Sequence, residues 1–447
     1  MRLALLGGGG FRVPLVYRAL ATAPYAGLIT ELALYDPDAL RLAGIERVLR
    51  SMPGIAEPPR LQVFSELEPA LAGADVVFAA IREGSTAGRV LDERVALELG
   101  VLGQETTGAG GISYALRSIP RMLEVAELMR RTCPSAWLIN FTNPAGMVTE
   151  ALLPVLGKRV IGICDSPIGL VRRAAHASDF PLDTGSLAGV DYVGLNHLGW
   201  LRALRHDGVN HLPPLLASPE RLGGFEEGRL FGPELLELLG CMPNEYLFYY
   251  YNRDQAMAGI RAAAQTRGES IDRQQAQLYP QLAAAGPEAF GLWEAARRSR
   301  EAGYLAEARS SGEARDETDL AGGGYEQVAL SAMTALLTGT PTELILNVRN
   351  GGTVRALPAY VVVEVPCRID ASGAHPLPVS APDLHQLGLM TQLKAAERAT
   401  IAAATFGNRR AALRAFTLHP LVDSASVARD LLAGYEKAFP ALPKLWR

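Results

Sequence analysis

A run of four glycines near the amino terminus is the feature that most constrains how this chain can fold. An apolar segment at residues 2–6 leads into Gly7, Gly8, Gly9 and Gly10, and a helix-like pattern covers residues 11–23. In a strand, glycine turn and helix, the backbone approaches a pyrophosphate closely and the helix amino terminus stabilises its charge. The usual spacing has a third glycine where this chain has Arg12. The turn predicts a dinucleotide site; a glycine turn that binds no ligand is the alternative.

The next segments extend this pattern into a sheet. An apolar segment at residues 32–35 ends at Asp36, where a dinucleotide-binding unit places the carboxylate that binds the ribose hydroxyls. Further strand-like segments alternate with helical ones, the strands at 75–80, 137–141 and 160–164 and the helices at 112–131, 145–156 and 168–177. This alternation predicts an α/β fold with a Rossmann-like, doubly wound parallel sheet over residues 1–185.

The pattern changes in residues 186–447. Strand-like segments at 192–195, 200–205 and 360–365 lie among alanine-rich helical segments, which predicts a second, mixed α/β domain for substrate and metal. Residues 283–322 are rich in Ala, Glu and Arg, and predict either an exposed helix or a mobile loop.

The composition limits the class of protein. The 447 residues are 49% hydrophobic and 20% charged, as expected for a folded chain of two or three domains. A net charge of −4 without a long basic run argues against nucleic-acid binding, and the apolar stretches fall short of the roughly 18 residues that span a bilayer. The amino terminus lacks the features of a signal peptide, and the four cysteines lie far apart, as reduced thiols do. We therefore expect a cytoplasmic protein without a membrane or nucleic-acid partner.

Three polar residues follow strand-like segments. Asn143 comes after the strand at 137–141, Cys164 ends the strand at 160–164, and His197 comes soon after the strand at 192–195. A thiolate and an imidazole can hold one divalent cation and leave positions open for substrate oxygens. The alternatives are two buried structural residues and, for Asn143, a helix cap.

Three further sequence features could bind a ligand or take part in catalysis. The loop GQETTGAGG at 103–111 can bring backbone amides to a ligand, or form an ordinary turn. The segment PNEYLFYYY at 243–251 holds four tyrosines, and a phenol near a metal and a cation can have its pKa lowered enough to act as a base. An aromatic core is the alternative, which we favour for residues 249–251. Arginines can bind phosphate through two N–H groups, although surface positions would also explain the candidates Arg82, Arg89 and Arg267.

In this order, the segments resemble the NAD-dependent family 4 glycoside hydrolases. The match runs from the glycine turn through GQETTGAGG, NFTNPAG, CDSP, GLNHLGW, NEYLFYY, RNGGTV, VEVPC and LHPLV. The resemblance implies a Rossmann-like domain followed by a mixed α/β domain, as in lactate and malate dehydrogenases. It also implies bound NAD, a divalent metal that is usually manganese, and a homo-oligomer, either a dimer or a tetramer.

The chemistry that this resemblance implies differs from that of glycosidases with two carboxylates. The sugar is oxidised at C3 by bound NAD⁺, a base removes the C2 proton, and the aglycone leaves C1 by elimination. Water then adds and the hydride returns to C3, so that NAD is not consumed.

The resemblance also implies roles for the metal ligands and the base. Cys164 and His197 resemble the residues that hold the metal against the sugar hydroxyls. Tyr246 resembles the C2 base, and Tyr249 or Tyr250 remains an alternative because the segment is rich in tyrosine.

The remaining implied roles concern the substrate and the cofactor. Asn143 resembles the ligand of a substrate hydroxyl, while Arg89 and Arg267 resemble residues around the 6-phosphate and the active site. Asp36 and the glycines at 7–10 would hold NAD.

One residue bears on the substrate anomer. Asp165, in the pattern Cys-Asp-x-Pro, resembles the 6-phospho-α-glucosidases, in which this aspartate protonates the leaving group. The segments RNGGTV and VEVPC resemble the 6-phospho-β-glucosidases more. We predict a 6-phospho-β-glucosidase, with a 6-phospho-α-glucosidase as the nearest alternative and an enzyme for unphosphorylated sugars as a further one.

Two other classes share the predicted first domain. An NAD-dependent hydroxy-acid dehydrogenase would use a histidine base and an arginine clamp, need no metal, and consume NAD⁺. A non-catalytic nucleotide-binding sensor would bind without turnover, and would leave the placement of Cys164 and His197 unexplained.

Overall fold

The computed structural model describes residues 1–55, 57–302 and 324–447. Their strands form one sheet of 13 members. In chain order the strands are β1 Arg2–Leu6, β2 Glu31–Tyr35, β3 Arg60–Phe64, β4 Val76–Ala79, β5 Trp137–Asn140, β6 Val160–Gly162, β7 Val190–Leu195, β8 Leu198–His206, β9 Val209–Asn210, β10 Met242–Pro243, β11 Thr342–Arg349, β12 Val362–Asp370 and β13 Gly373–Pro376.

The first six strands are parallel and lie in the order β3-β2-β1-β4-β5-β6. This is the order of doubly wound dinucleotide-binding sheets, in which the ligand crevice opens at the carboxyl ends of the strands beside β1. The predicted α/β class and the parallel sheet are therefore confirmed.

Helices connect the strands and follow the sheet. The α-helices are Val13–Leu20, Ala39–Arg50, Leu67–Leu71, Ser85–Glu98, Ala109–Thr132, Ala145–Leu156, Ser166–Ala177, Leu212–Leu216, Pro219–Leu222, Glu226–Leu239, Phe248–Tyr251, Arg253–Ala262, Arg267–Ala284, Ala289–Ala302, Tyr325–Thr338, Leu384–Phe406, Arg409–Leu418 and Ala425–Ala438. Short 3-10 helices cover Gly157–Arg159, Glu245–Leu247 and Pro443–Leu445. Within the described ranges, no helix is long and apolar enough to cross a bilayer.

Each face of the sheet has its own hydrophobic core. Leu3 and Leu5 of β1 belong to one core, while Ala4 and Leu6 belong to the other. Successive side chains of a strand point to opposite faces, so a strand buried on both faces is apolar throughout. This is why residues 3–6 form a continuous apolar run rather than an alternating one.

The sheet continues beyond β6 with antiparallel strands in the order β11-β12-β7-β8-β10. Strand β11 joins the parallel half through the pair Asn347 and Gly162. All parallel strands come from residues 1–185 and all later strands are antiparallel to their neighbours. The sheet itself crosses the predicted boundary without a break, so the division at residue 185 stays a prediction.

Several predicted bounds shift. The strand predicted at 160–164 ends at Gly162, because the helix Ser166–Ala177 starts soon afterwards and residues 163–165 form the connection. The strand predicted at 360–365 runs instead from Val362 to Asp370, since Tyr360 lies in an exposed turn.

Part of the segment 283–322 forms a helix, Ala289–Ala302. This helix is not fully exposed, because Trp293 and Ala289 pack with Phe11 and Leu282 in a small core of their own. Residues 303–322 of the segment lie outside the described residues.

Candidate active site

The glycine turn follows β1 at the carboxyl edge of the parallel strands. The N–H groups of Gly7 and Gly8 both donate to the carbonyl of Tyr35, at 2.9 and 2.7 Å. A Cβ on Gly7, whose φ is +89°, would lie 2.5 Å from the carbonyl oxygen of Ala80, and one on Gly8 would lie 2.8 Å from Cβ of Leu34. Close packing against β2 and β4 therefore excludes side chains here, as does the approach of a pyrophosphate.

Asp36 lies directly beside this turn, as predicted. Its Oδ2 accepts a hydrogen bond from the N–H of Gly9 at 3.0 Å, and its Oδ1 accepts one from the N–H of Asp38 at 3.0 Å. Burial raises the pKa of the Asp36 carboxyl. Each oxygen has a further lone pair with which a ribose hydroxyl could bond.

Three aromatic side chains from the second half of the chain hold the turn from outside. We call Tyr279, Trp293 and Tyr325 the aromatic clamp. They donate hydrogen bonds to the carbonyls of residues 9, 11 and 12, at 2.7, 2.7 and 2.9 Å respectively. The clamp therefore satisfies and holds three carbonyls in and just after the glycine turn.

Arg12 stands where the usual glycine pattern has a third glycine. It precedes the helix Val13–Leu20 in an ordinary right-handed conformation, with φ −94° and ψ −2°. Nothing in its backbone requires glycine, which explains why the turn tolerates the departure. Its guanidinium nitrogen Nη1 lies 3.9 Å from Oδ2 of Asp165 and so connects the glycine turn to the Cys-Asp-Ser-Pro loop.

Cys164 lies in that loop, between β6 and the helix Ser166–Ala177, and is buried. Burial raises the pKa of its thiol well above the usual range, and the nearby carboxylates of Asp165, Glu364 and Glu245 raise it further. A thiolate at this position therefore needs a compensating positive charge, such as a bound cation.

His197 lies in the two-residue turn between β7 and β8, where Leu195 pairs with Leu198. Its φ of +63° is uncommon for a residue with a side chain. Burial lowers the pKa of His197 to about 4. The imidazole is thus neutral at pH 7, the form that binds metal ions. Its ring stacks on that of Tyr246, with centroids 3.7 Å apart and an angle of 8° between planes.

The residue before Tyr246 connects it to the cysteine loop. Glu245 is buried and accepts a hydrogen bond from the hydroxyl of Ser166 at 2.9 Å. Its other oxygen lies 3.8 Å from a guanidinium nitrogen of Arg173. The turn that carries Glu245 and Tyr246 therefore contacts the Cys164 loop on one side and His197 on the other.

A cluster of arginines surrounds Glu105, from the loop GQETTGAGG. Arg89 donates to Glu105 Oε1 at 2.6 Å and to Glu93 at 2.7 Å, and Arg82 bonds to Oε2 of Glu105. Although burial acts in the opposite direction, Arg82 and Arg89 lower the pKa of Glu105 to about 2. The side chain of Arg89 is buried and ion-paired. The alternative that Arg89 is only a surface residue is therefore wrong.

Arg267 and Arg300 complete this cluster. Arg267 begins the helix Arg267–Ala284 and donates to the carbonyl of Arg300 at 2.6 Å. Burial, and then the like charges of Arg12, Arg89 and Arg267, lower the pKa of the Arg300 guanidinium to about 9. The cluster is therefore a region of concentrated positive charge, and Glu105 lies close to Arg82, Arg89 and Arg300 within it.

Asn143 does not cap a helix, so that explanation is wrong. The helix Ala145–Leu156 starts after Pro144, which supplies no side-chain cap, and Nδ2 of Asn143 makes a 3.4 Å bond to the carbonyl of Phe141. Pro144 lines a cavity together with His197, so the Asn143 turn lies beside the histidine.

The neighbouring tyrosines occupy other surroundings. Tyr249 is buried in the core, and Tyr251 accepts a 2.9 Å bond from the indole of Trp200 and bonds to His385 at 2.7 Å. Tyr250 lines the cavity beside His197, but burial raises its pKa well above the usual range for tyrosine. The expected aromatic packing of residues 249–251 is present.

The predicted metal site would use two protein side chains, Cys164 and His197. No group of three or more His, Cys, Asp or Glu side chains in the described ranges is arranged to hold a metal ion. Cys164 and His197 would therefore form a site that is open on the substrate side.

Sequence reasoning did not assign roles to Glu105, Glu245 or the aromatic clamp. Glu245 is adjacent to Tyr246, so its sequence position was a usable signal. The clamp residues lie more than 260 residues from the glycine turn, and only the tertiary structure brings them there.

Known proteins resemble this chain over almost its whole length. Residues 3–179 match the model for "Family 4 glycosyl hydrolase", and residues 192–422 match "Family 4 glycosyl hydrolase C-terminal domain". The chain is 30% identical to a Bacillus subtilis (strain 168) protein named "Probable 6-phospho-beta-glucosidase", over 97% of this chain and 95% of that protein.

Two solved structures share the whole fold. One is the 6-phospho-beta glucosidase of Thermotoga maritima with manganese, NAD⁺ and glucose-6-phosphate, at a TM-score of 0.80 and 26% identity, with 98% of each chain covered. The other is a 6-phospho-alpha-glucosidase from gut microorganisms with NAD and glucose-6-phosphate, at a TM-score of 0.79 and 26% identity, with 99% of this chain and 98% of that chain covered. The two matched family models together span most of the sequence, and the chain belongs to the family 4 glycosyl hydrolases.

Proposed function

We propose that this protein hydrolyses 6-phospho-β-glucosides with bound NAD⁺ and a divalent metal, manganese being our first choice. The observation that carries the proposal is the stacking of Tyr246 on His197, at 3.7 Å between ring centroids, on a turn that also contacts the Cys164 loop. The proposed base is thus in contact with one proposed metal ligand, on a turn that also bonds to the loop of the other, in a chain that belongs to a glycosidase family.

The glycine turn fits a dinucleotide. Cβ atoms are excluded at Gly7 and Gly8, the helix Val13–Leu20 starts next to the turn, and Asp36 lies beside Gly9. We infer that these residues hold NAD, with the backbone at the pyrophosphate and Asp36 at a ribose.

Cys164 and His197 fit a borderline divalent cation. A buried thiol and a neutral imidazole are ligands of the type that such cations accept, and a two-residue donor set leaves room for the sugar hydroxyls. When bound, NAD⁺ supplies reversible oxidation at C3 of the sugar and the metal supplies Lewis-acid polarisation of the adjacent oxygens.

The chain's own residues then perform the proton transfers and the orientation. Tyr246 accepts the C2 proton, and stacking on His197 fixes its ring. Glu245, held by Ser166, fixes the turn from the other side. Asn143 orients a sugar hydroxyl from the turn after β5.

The arginine cluster is our proposed site for the 6-phosphate. Arg267 and Arg89 would bind the phosphate oxygens, and Arg300 adds a third positive charge in the same region. Glu105 already bonds to Arg89, so this arginine can offer the phosphate only its remaining N–H groups.

Asp165 favours a second candidate, a 6-phospho-α-glucosidase. Its side chain is about one third exposed and lies at the start of the helix Ser166–Ala177, next to Cys164. A leaving-group acid at this position would serve an α-linked aglycone, and relatives of both specificities match the chain. A homo-oligomer, dimer or tetramer, and action on unphosphorylated sugars also stay proposals.

The experiment is a comparison of the β and α anomers of p-nitrophenyl glucoside 6-phosphate, with and without Mn²⁺ and NAD⁺, and with the unphosphorylated glucosides as controls. We expect release of p-nitrophenol from the β anomer only when both cofactors are present. Release from the α anomer alone would show that the enzyme is a 6-phospho-α-glucosidase. Equal release from the unphosphorylated glucosides would contradict the proposed phosphate site. NADH accumulation without release would instead favour a dehydrogenase, and binding without any turnover a sensor.

A further inference from the structure

The two proposed metal ligands emerge from strands that are not neighbours. Strands β11 and β12 lie between β6, which leads to Cys164, and β7, which leads to His197. The pairing registers align Gly162 with Asn347, Asn347 with Glu364, and Glu364 with Gly194. These residues form one row across the sheet, and Cys164 and His197 follow its two ends by two and three residues.

Glu364 lies inside this row and accepts three hydrogen bonds. The hydroxyl of Tyr192 donates to its Oε2 at 2.9 Å, and Nδ2 of Asn347 donates to its Oε1 at 2.9 Å. Nδ2 of Asn196 donates to the same Oε1 at 3.4 Å. A carboxylate that accepts from three buried donors has its orientation fixed on all sides.

This carboxylate contacts the turn that carries His197. Asn196, which donates to it, immediately precedes His197, whose backbone is held in an uncommon left-handed conformation with φ +63°.

The amino terminus of the helix Ala145–Leu156 encloses the row from one face. A Cβ on Gly146 would lie 3.1 Å from Cβ of Asn196 and 3.5 Å from Oδ1 of Asn347. The Oδ1 atoms of both asparagines are buried, with no hydrogen-bond partner among the described residues. Among the described residues, only the carboxylate of Glu364 forms hydrogen bonds with these two side-chain amides. It therefore fixes the orientation in which Nδ2 of each asparagine faces the carboxylate.

We propose that Glu364 is a positioning residue for the divalent metal, which orients His197 through Asn196. The inference rests on the proposed metal site at Cys164 and His197. Removal of the carboxylate leaves both ligands in the chain but releases the turn that carries His197. Partners that orient metal ligands in this way typically change the affinity for the metal by about 10- to 100-fold.

The test is the affinity for Mn²⁺, measured by titration and detection of free Mn²⁺ by electron paramagnetic resonance, on the full chain with NAD⁺ present. Glu364→Gln keeps only one acceptor oxygen, so it cannot accept both from the hydroxyl of Tyr192 and from the amides of Asn196 and Asn347. We expect the Kd for Mn²⁺ to rise by about 10- to 100-fold, while the Kd for NAD⁺ stays within about threefold of that of the wild type.

A matched control separates positioning from general stability. Glu343→Gln changes a glutamate of the same strand β11 that carries Asn347, whose carboxylate instead accepts from the N–H of Leu187 at 2.6 Å. We expect this variant to bind Mn²⁺ as the wild type does, even where its melting temperature falls. A Glu364→Gln protein that is folded and binds Mn²⁺ with wild-type affinity overturns the inference.

A second variant covers the case in which Glu364→Gln does not fold. Asn196→Ala leaves the carboxylate in place and cuts its connection to His197, and should weaken Mn²⁺ binding by about tenfold. Unchanged affinity in this variant contradicts the positioning role. A wild-type protein that binds no Mn²⁺ at all would overturn the metal site itself, which is a distinguishable result.

Discussion

At the scale of single residues, the stacked pair of His197 and Tyr246 makes the sharpest prediction about catalysis. Tyr246→Phe keeps the ring that packs on His197 but removes the hydroxyl that would accept the C2 proton. We expect kcat to fall by about 10²- to 10⁴-fold, the usual contribution of a positioned base, with NAD⁺ and Mn²⁺ binding unchanged.

A tyrosine from the same segment provides the control for that prediction. Tyr251→Phe removes a hydroxyl that bonds to Trp200 and His385 instead. Its kcat should stay within about threefold of wild type, because a lost structural hydrogen bond of about 1 kcal/mol mainly lowers stability. Full activity in Tyr246→Phe would move the role of the base to another group.

The proposed phosphate site predicts an effect of Arg267 on substrate binding. Arg267→Ala removes one charged donor from the arginine cluster, and charged hydrogen bonds contribute about 1.5–3 kcal/mol. We expect KM for the phosphorylated glucoside to rise by about 10- to 100-fold, measured by p-nitrophenol release. Arg273→Ala, an exposed arginine on the same helix, should leave KM unchanged. Equal effects of both variants would argue against a phosphate at Arg267.

The individual site residues differ in how far the sequence could reveal them. Cys164, His197 and Asn143 each follow a strand, so a correct prediction of the strands places each of them in the connection after a strand end. Glu364 is inside a strand, in an apolar stretch where its three donors come from 17, 168 and 172 residues away. No local pattern carries that information.

At the scale of elements, the aromatic clamp makes the glycine turn dependent on helices from the second half of the chain. Trp293→Phe keeps an aromatic ring but removes the N–H that donates to the carbonyl of Phe11 at 2.7 Å. A buried acceptor without its partner costs about 1–3 kcal/mol. We therefore expect the Kd for NAD⁺ to rise at least severalfold, as measured by calorimetry.

A Trp→Phe substitution outside the aromatic clamp controls for the loss of an indole N–H group. Trp446→Phe removes an N–H that donates to Glu436 at 2.8 Å, near the carboxyl end of the described chain. NAD⁺ affinity should not change in this variant. If it falls as much as in Trp293→Phe, the clamp is not the cause.

The parallel strands and their helices were predictable because their apolar runs are short, regular and bounded by turn residues. The helix Ala145–Leu156 was predicted with the observed bounds. The long strand Val362–Asp370 was located too early because the exposed Tyr360 extends the run of β-forming residues beyond the strand itself.

At the scale of the whole molecule, buried neutral histidines make stability depend on pH. Burial lowers the pKa of His197 to about 4 and that of His419 to about 3, against 6.5 for the ordinary side chain. The unfolded chain therefore binds more protons than the folded one below pH 6.5, and the stability present above that pH is lost as pH falls through the folded values. At about 1.4 kcal/mol per pKa unit, the contribution is roughly 3 kcal/mol for His197 and roughly 5 kcal/mol for His419.

Urea unfolding at a series of pH values, with the metal removed by a chelator, measures this effect. The free energy of unfolding should fall between pH 6.5 and pH 3. In His419→Asn the decrease should be smaller by up to about 5 kcal/mol, whereas His375→Asn, at an exposed position, should leave the slope unchanged. If the free energy of unfolding of His419→Asn fell with pH as steeply as that of the wild type, buried neutral His419 would not be a cause of the pH dependence.

Only the parallel half of the sheet could be predicted from the sequence. The parallel order follows from alternating strands and helices, but the insertion of β11 and β12 between β6 and β7 joins segments about 180 residues apart. This insertion separates the two strands that lead to the proposed metal ligands, and it places Glu364 between them.

The central claim is that the glycosidic bond is cleaved by oxidation and elimination, with loss of the C2 proton. Its most direct test is hydrolysis of p-nitrophenyl β-glucoside 6-phosphate in D₂O with NAD⁺ and Mn²⁺, followed by NMR of the released glucose 6-phosphate. We predict deuterium at C2 of the product, and none in unreacted controls without protein. Released sugar that retains its original C2 proton would show direct displacement at C1 and contradict the account.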